Sequence, residues 1–536
     1  MNGQPNRYTE LLQTLGKTVP EPQAAPGWKL SRLTPPSRIF GANGMQFGPD
    51  GRLYVAQAFG SQITAIDITT GDVETISPLG GPIVAPDDVA FDTEGTLYAT
   101  EVMSARVCAR MPNGEVRIVA DDLPGANGIT IHEDRVFIDE FRRGGRIFEL
   151  YPYDDRAPRL IAEDLRGPNA LAVGPDGNLY FPLVPVGEVW RVDIETGEKE
   201  KVADGLQSPP AVKFNRKGEL IVPQAGTGEI VRIDIKNGTK TVIATVRPGI
   251  DNLACSEDGR LFISHFIDGG VAEVATDGSN TERVLVPRGF VGPWDIACGD
   301  DGRVYIADGL SMAALTATGE VTRYGGLLDK TFPGFVRGLR AGAAGELLLS
   351  TVNGDIVQYF PDTRSFTTLA RKLRQPYGLT RESADSVVVV EAGSGTLLRI
   401  GPQGESEPIT LGLSQPCDVV AAPDGTLYVS ETGKGRISQV HGDGSVSSLA
   451  AGLLQPKGLA LQDERLLVLD HGTQELHAIE LATNKPQVLA SQLPIGEPDG
   501  LSRCPMDFLG GIATSIDGTI YIAADAEGSV LRLHKV

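Results

Sequence analysis

The chain has 536 residues, 41% of them hydrophobic, with 65 Gly, 36 Pro and a formal net charge of −21. That acidic balance argues against a nucleic-acid backbone as partner, because binding phosphates needs a basic surface. No apolar run reaches the ~18 residues of a helical membrane span, and the many turn formers point to short strands joined by tight turns.

The opening segment, MNGQPNRYTELLQTLGKTV, lacks the basic head and apolar core of a secretory signal, and YTELLQTLG reads as a short amphipathic helix; a cytoplasmic protein is expected. GWKLSRLTPP then reads as a lone strand. From residue 38 onward one pattern recurs twelve times: a small-residue turn, an apolar strand, a polar turn, a second apolar strand and one further residue, usually polar. Examples are GANGMQFGPDGRLYVAQ, ending at Gln57, DDVAFDTEGTLYATE, ending at Glu101, and CDVVAAPDGTLYVSE, ending at Glu431. The residue after the second strand stands at 57, 101, 140, 183, 224, 265, 308, 351, 391, 431, 470 and 524. A period of about forty residues built from strands marks propeller blades. Third strands such as VWRVDIE and fourth strands such as TVIATV complete each four-stranded meander.

The chain stops after a third strand, VLRLHKV, and GWKLSRLTPP supplies the missing fourth, so one strand from each terminus closes the ring and hides two edges. The expected fold is all-β: an extension at 1–27, a closing strand at 28–37, and six-bladed propellers at 38–288 and 289–536. A single twelve-bladed ring is the alternative. The cysteines, Cys108, Cys255, Cys298, Cys417 and Cys504, are odd in number and lack metal spacing, which suits small buried core residues.

In a propeller the first strand of each blade lines the channel, so the residue at its start projects into one mouth. Read in order, that position holds Asn43, Asp88, Asn127, Asn169, Pro210 and Asn252, then Asp295, Arg337, Tyr377, Asp418, Lys457 and Gly510. The first half presents amide oxygens with carboxylates from Asp88 and from Asp87 or Asp251. Hard cations prefer such ligands, Ca²⁺ first and Mg²⁺ or Zn²⁺ as alternatives; Asn and Asp also start strands simply because they make turns. Behind this ring stand Gln57, Glu101, Glu140, Gln224 and His265, of which Glu101, Glu140 and His265 are candidate acid–base residues. The second half offers a charged mouth from Arg337, Tyr377, Asp418 and Lys457, with Asp308, Glu391, Glu431, Asp470 and His471 behind, suited either to catalysis or to a salt-bridged plug. Longer loops precede Asp87, Arg337 and the last blade.

The repeat, with its xDG turn and LYVA-like strand, resembles the NHL repeat and the senescence-marker-protein and gluconolactonase group of six-bladed propellers. That resemblance implies one divalent ion at a channel mouth, held by a Glu, two Asn and an Asp. ANG at Asn127 and PNA at Asn169 match the two Asn segments, whereas Asn43 and Pro210 stand where the Glu and the Asp belong. PYGL at Tyr377 and PKGL at Lys457 resemble the P-H-G-I segments of streptogramin (virginiamycin B) lyases, in which a His serves a Mg²⁺-assisted elimination that opens a cyclic ester. Here Tyr and Lys replace that His. Three readings follow: a metal-dependent hydrolase of a small-molecule lactone or ester in the first half, a lyase in the second half using Arg337, Tyr377, Lys457 or His471, or a propeller that only binds a small molecule or protein.

Overall fold

The computed structural model describes residues 6–154, 156–326, 331–342, 345–496 and 509–536. Among them the strands form twelve antiparallel sheets, whose strands run in chain order from inner to outer edge except where N-terminal strands add the outer edge of the last two. Eleven sheets have four strands; the eleventh along the chain gains a fifth from Gln23–Ala24, which pairs with Lys485–Ser491. The last sheet closes as expected: Trp28–Arg32 forms its outer strand, with Trp28 opposite Lys535 and Arg32 opposite Leu531. Among the described residues no helix is long and apolar enough to cross a membrane.

Local chemistry explains the hairpins. Pro-Asp-Gly turns place glycine where φ is positive, at Gly177 (79°) and Gly425 (87°). The Tyr of the following strand then donates its hydroxyl to the turn aspartate, as Tyr180 does to Asp176 at 2.8 Å and Tyr305 to Asp301 at 2.8 Å. Its ring is buried between neighbouring sheets, so one side chain ties a turn to the core.

The chain divides into two compact units. The first contains Arg38–Val291, with sheets 1–6, and the start of the N-terminal helix Arg7–Thr14. Apolar clusters fill the space between every adjacent pair of its sheets, including sheet 6 against sheet 1, where Phe262 and Ala254 meet Met45 and Leu53. The second unit contains sheets 7–12 and the closing strand. Its inner strands also contact one another in a circuit, the last against the first, where Gly511 N–H donates to the Trp294 carbonyl at 3.1 Å. Cys108 and Cys417 are buried and Cys255 and Cys298 half-buried, all four free, while Cys504 lies outside the described residues.

A hydrogen-bond device ties successive sheets together at the axis. Inner strands begin with a two-residue irregularity in register, between Ala42 and Met45, Pro86 and Val89, or Pro416 and Val419. In four sheets a hydroxyl near the end of the second strand spans it. Ser264 Oγ accepts the Asn252 N–H at 3.0 Å and donates to the Asn43 carbonyl of the next sheet at 2.7 Å. Ser350 and Ser430 do the same toward Tyr377 and Lys457, and Thr100 toward Asn127. In sheet 3 the place belongs to Asp139, whose Oδ1 accepts the Gly128 N–H at 3.1 Å. Burial raises its pKa well above the usual carboxylate range.

Removing one hydroxyl leaves a buried N–H and a buried carbonyl each short of a partner. Ser264→Ala is therefore expected to lower unfolding free energy by about 1–3 kcal/mol in urea titration, with Ser264→Thr close to the parent. Equal midpoints for all three proteins would show that the bridge contributes nothing.

Candidate functional site

Counting back two residues from the first apolar residue that regains register (Met45, Val89, Ile129, Leu253) identifies the side chains that open each inner strand. In sheets 1–6 these are Asn43, Asp87, Asn127, Asn169, Pro210 and Asp251; in sheets 7–12 they are Trp294, Arg337, Tyr377, Cys417, Lys457 and Gly510. The sequence column held this position at Asn43, Asn127, Asn169, Pro210, Arg337, Tyr377, Lys457 and Gly510. At Asp88, Asn252, Asp295 and Asp418 it was one residue late.

Those four side chains do another job. Asp88 Oδ1 accepts its neighbour's N–H from Val89 at 2.9 Å, and Oδ2 accepts the Ile129 N–H of the next sheet at 3.2 Å. Asp295 repeats this with Ile296 and Leu339, and Asp418 with Val419 and Leu459. Asn252 Oδ1 accepts the Leu253 N–H at 2.8 Å. The preceding sheet contributes glycine where such a carboxylate sits: a Cβ at Gly44 would lie 2.0 Å from Asp88 Oδ1, and one at Gly378 2.0 Å from Asp418 Oδ1. Asp88 thus stitches its strand to the next sheet, Asn252 bonds back to its own strand, and the neighbouring Asp87 and Asp251 take the positions at the mouth.

The first mouth then carries three amides and two carboxyls. Asn43 Oδ1 accepts the Ala58 N–H at 3.2 Å, and its Nδ2 donates to Asp87 Oδ1 at 3.4 Å. Asn127 Oδ1 is buried with no hydrogen-bond partner among the described residues. Burial and the Asp88 charge push the Asp87 carboxyl up to about 7. Burial, with Asp87 and Asp88, likewise raises Asp251. Among the described residues no three His, Cys, Asp or Glu side chains stand at metal-binding spacing, so an ion here would depend on the amide oxygens. The second strands end at this same edge, Gln57 opposite Ala42 and Glu101 opposite Pro86. The loops after them bring apolar side chains to the mouth: Phe59 stacked on Phe266 at 6.2 Å, and the exposed Met103, Phe141 and Val186.

The ring behind it is structural. Gln57 Oε1 accepts the Phe40 N–H at 3.0 Å and Gln224 Oε1 the Gln207 N–H at 2.8 Å, each latching the loop that enters its sheet. Asp308, Glu391, Glu431 and Asp470 latch Gly292, Arg374, Ser414 and Leu454 in the same way. Glu101 is fully buried against Arg106 (2.6 Å) and Cys108, and Glu140 against Arg142 and Arg146. Both carboxylates have no exposed surface and are engaged by arginine. His265 is also buried; desolvation and the nearby Arg247 cation lower its pKa to about 3, which leaves it neutral and a weak base at neutral pH.

The second mouth differs from the crowded charged ring expected there. Asp295 and Asp418 turn into the hub, where Arg340 Nη2 donates to Asp418 Oδ2 at 2.6 Å and to the Leu459 carbonyl at 3.2 Å, with Asp295 3.8 Å from Nη1. The ion-pair cluster thus rests on Arg340, a residue the sequence reading did not single out, and not on Arg337 or Lys457. Arg337 lies over the Tyr377 ring at 4.9 Å, and Leu509 packs with Tyr377 and Cys417. His471 is buried against Gly510, whose added Cβ would lie 2.0 Å from Nε2, and burial together with Lys457 lowers its pKa far below the ordinary value. The long loops before Arg337 and the last sheet lie partly outside the described residues, at 327–330 and 497–508.

Circuits of four-stranded meanders with polar residues at one end of the axis define β-propellers. The chain belongs to the Virginiamycin B lyase family, whose model matches residues 195–479, just over half of it. No curated protein matches the chain. Among solved structures it is similar to a gluconolactonase from Xanthomonas campestris (17% identity, 46% of this chain and 92% of that one, TM-score 0.38). It is also similar to a calcium-binding protein, regucalcin, from Agrobacterium tumefaciens (18%, 44% and 84%, TM-score 0.38). A third is the extracellular domain of a putative one-component system from B. thetaiotaomicron (11%, 95% and 82%, TM-score 0.33).

Because folding holds the His265 pKa below its unfolded value, the stability this residue confers is present above pH ~6.5 and is lost as pH falls toward 3. His265→Gln is expected to flatten the acid side of the stability profile by up to about 1.4 kcal/mol per pH unit. Parallel profiles for parent and variant in denaturant titrations between pH 4 and 7 would contradict the assignment.

Proposed function

We propose that the protein is an enzyme that opens a lactone or another ester of a small molecule at the mouth of sheets 1–6, using a hard divalent cation, calcium foremost. The observation that carries this reading is that Asn43, Asp87, Asn127, Asn169 and Asp251 open the inner strands of five of the six sheets, with Asn43 bonded to Asp87 and Asp251 close enough to Asp87 to feel its charge. Carboxylate and amide oxygens suit Ca²⁺ or Mg²⁺, whereas Zn²⁺ favours the His and Cys ligands that this ring lacks. The partnerless, buried Asn127 Oδ1 and the mutual repulsion of Asp87 and Asp251 are two costs a cation removes. Asn127, Asn169 and Asp251 would hold it, since the Asn43 oxygen is already engaged by Ala58. A cation held there would supply Lewis-acid polarisation of the ester carbonyl.

The remaining steps fall to the chain. The Asn43 amide orients Asp87. Asp87 takes a proton from the water that attacks the carbonyl carbon and passes it to the departing alkoxide oxygen, so one water adds across the acyl–oxygen bond. Phe59, Phe266, Met103 and Phe141 bind the apolar part of the substrate. Membership in a lyase family, whose match takes in Asp251 alone of the five polar mouth residues, supports elimination as a second reading, moved here from the second half of the chain. There Asp87 takes a proton from the carbon adjacent to the one bearing the ester oxygen, its electron pair forms a C=C bond, and the C–O bond breaks.

Calorimetry on chelator-stripped protein is expected to show one saturable Ca²⁺ site, weakened at least tenfold by Asn127→Ala or Asn169→Ala. Asp87→Asn should lower turnover of a lactone panel by about 10²–10⁴-fold while leaving the protein folded. Products that gain the mass of water identify hydrolysis, and isomeric unsaturated products identify elimination. Undiminished turnover and stability in excess chelator would overturn the cation, and full activity of Asp87→Asn would overturn the base.

A further inference from the structure

At the opposite end of the strands from the Lys457 and Gly510 mouth, the turn between Ile512–Thr514 and Ile520–Ala524 borders a cleft of about 710 Å³. The third strand of that sheet, Ser529–Lys535, forms one wall. Alternation sends Leu531 and Leu533 into the apolar cluster shared with sheet 11. Arg532 and His534 therefore share the other face, together with Tyr521, which stands opposite Arg532 in register.

Arg532 Nη1 donates to the Ala317 carbonyl at 3.4 Å, which leaves the guanidinium anchored at one corner. Arg532 Nε and His534 Nδ1 are buried polar atoms with no hydrogen-bond partner among the described residues. The two side chains, two residues apart on one strand, line the cleft and present it with a guanidinium and an imidazole. Asp463 and Asp517, which also border the cleft, are exposed and solvated, and Asp517 Oδ1 is taken by Ser515 Oγ and the Thr519 N–H of its own turn.

We propose that this cleft is a second ligand site, separate from the polar mouth, which takes the carboxylate or phosphate group of a small polar molecule on Arg532 and His534. Because the Trp28–Arg32 strand pairs along the same strand, with Ser31 opposite Arg532 and Lys29 opposite His534, an occupied site holds the N-terminal closing strand in place.

The test uses the full chain, with inorganic phosphate and glucuronate as probes and sodium chloride at matched ionic strength as control. Saturable calorimetric binding of one probe, with a concentration-dependent rise in Tm that chloride does not give, is expected; the probe that saturates decides between phosphate and carboxylate. Arg532→Gln and His534→Gln should each weaken that binding at least tenfold. The ligand-free Tm of His534→Gln reports whether the ring still closes, should Arg532→Gln fail to fold. A shift equal to that of chloride, or unchanged affinity in a folded His534→Gln protein, would overturn the proposal.

Discussion

The opening of each inner strand is the constraint on which the rest depends. There one strand carries an extra residue relative to its partner, and the side chains around that irregularity bond across to the next sheet. Ser264, reaching from sheet 6 back to the Asn43 carbonyl of sheet 1, performs for the first unit the closure that a covalent link would perform elsewhere. The carboxylates of Asp88, Asp295 and Asp418 act in parallel, each joining one inner strand to the next. Sheet-on-sheet apolar packing supplies the bulk of the burial, but it has no direction along the axis. These polar bonds set the depth at which each sheet sits.

Once the second residue of the irregularity is committed to stitching, the first must face the mouth. Asp87 and Asp251 stand where their charges repel, which is unfavourable for folding. The second unit uses the same backbone with other side chains. Its mouth bears Trp294, Arg337 and Tyr377, and its interior charge is satisfied by Arg340 between Asp295 and Asp418. In the first unit Lys213 stands at the corresponding strand position, three residues after Pro210 as Arg340 is three after Arg337, and it is the cation that opposes the burial shift of Asp88. One repeat thus carries an oxygen-lined mouth in one unit and a cationic, aromatic one in the other.

How much of this was legible depended on the range of the interaction. The turns, the alternation and the pairing of GWKLSRLTPP with VLRLHKV are written in adjacent residues and in two unpaired strands seeking partners. The site column was legible wherever a single polar residue opened the strand, as at Asn127 and Asn169. It slipped at Asp87-Asp88 and Asp251-Asn252, where two polar residues adjoin, because only the cross-sheet N–H of Ile129 or the intrastrand N–H of Leu253 tells which one turns inward. At Glu101, Glu140 and His265 the sequence shows a titratable group at a channel position but not the arginines and backbone that enclose it.

By itself, the sequence determined a chain of repeated four-stranded meanders closed by its own termini, because period, turn chemistry and strand alternation are local properties. Only the tertiary structure decided which polar side chains belong to the frame and which to the mouth. That choice rests on bonds between neighbouring sheets whose partners lie about forty residues apart, or, where sheet 6 meets sheet 1, more than two hundred.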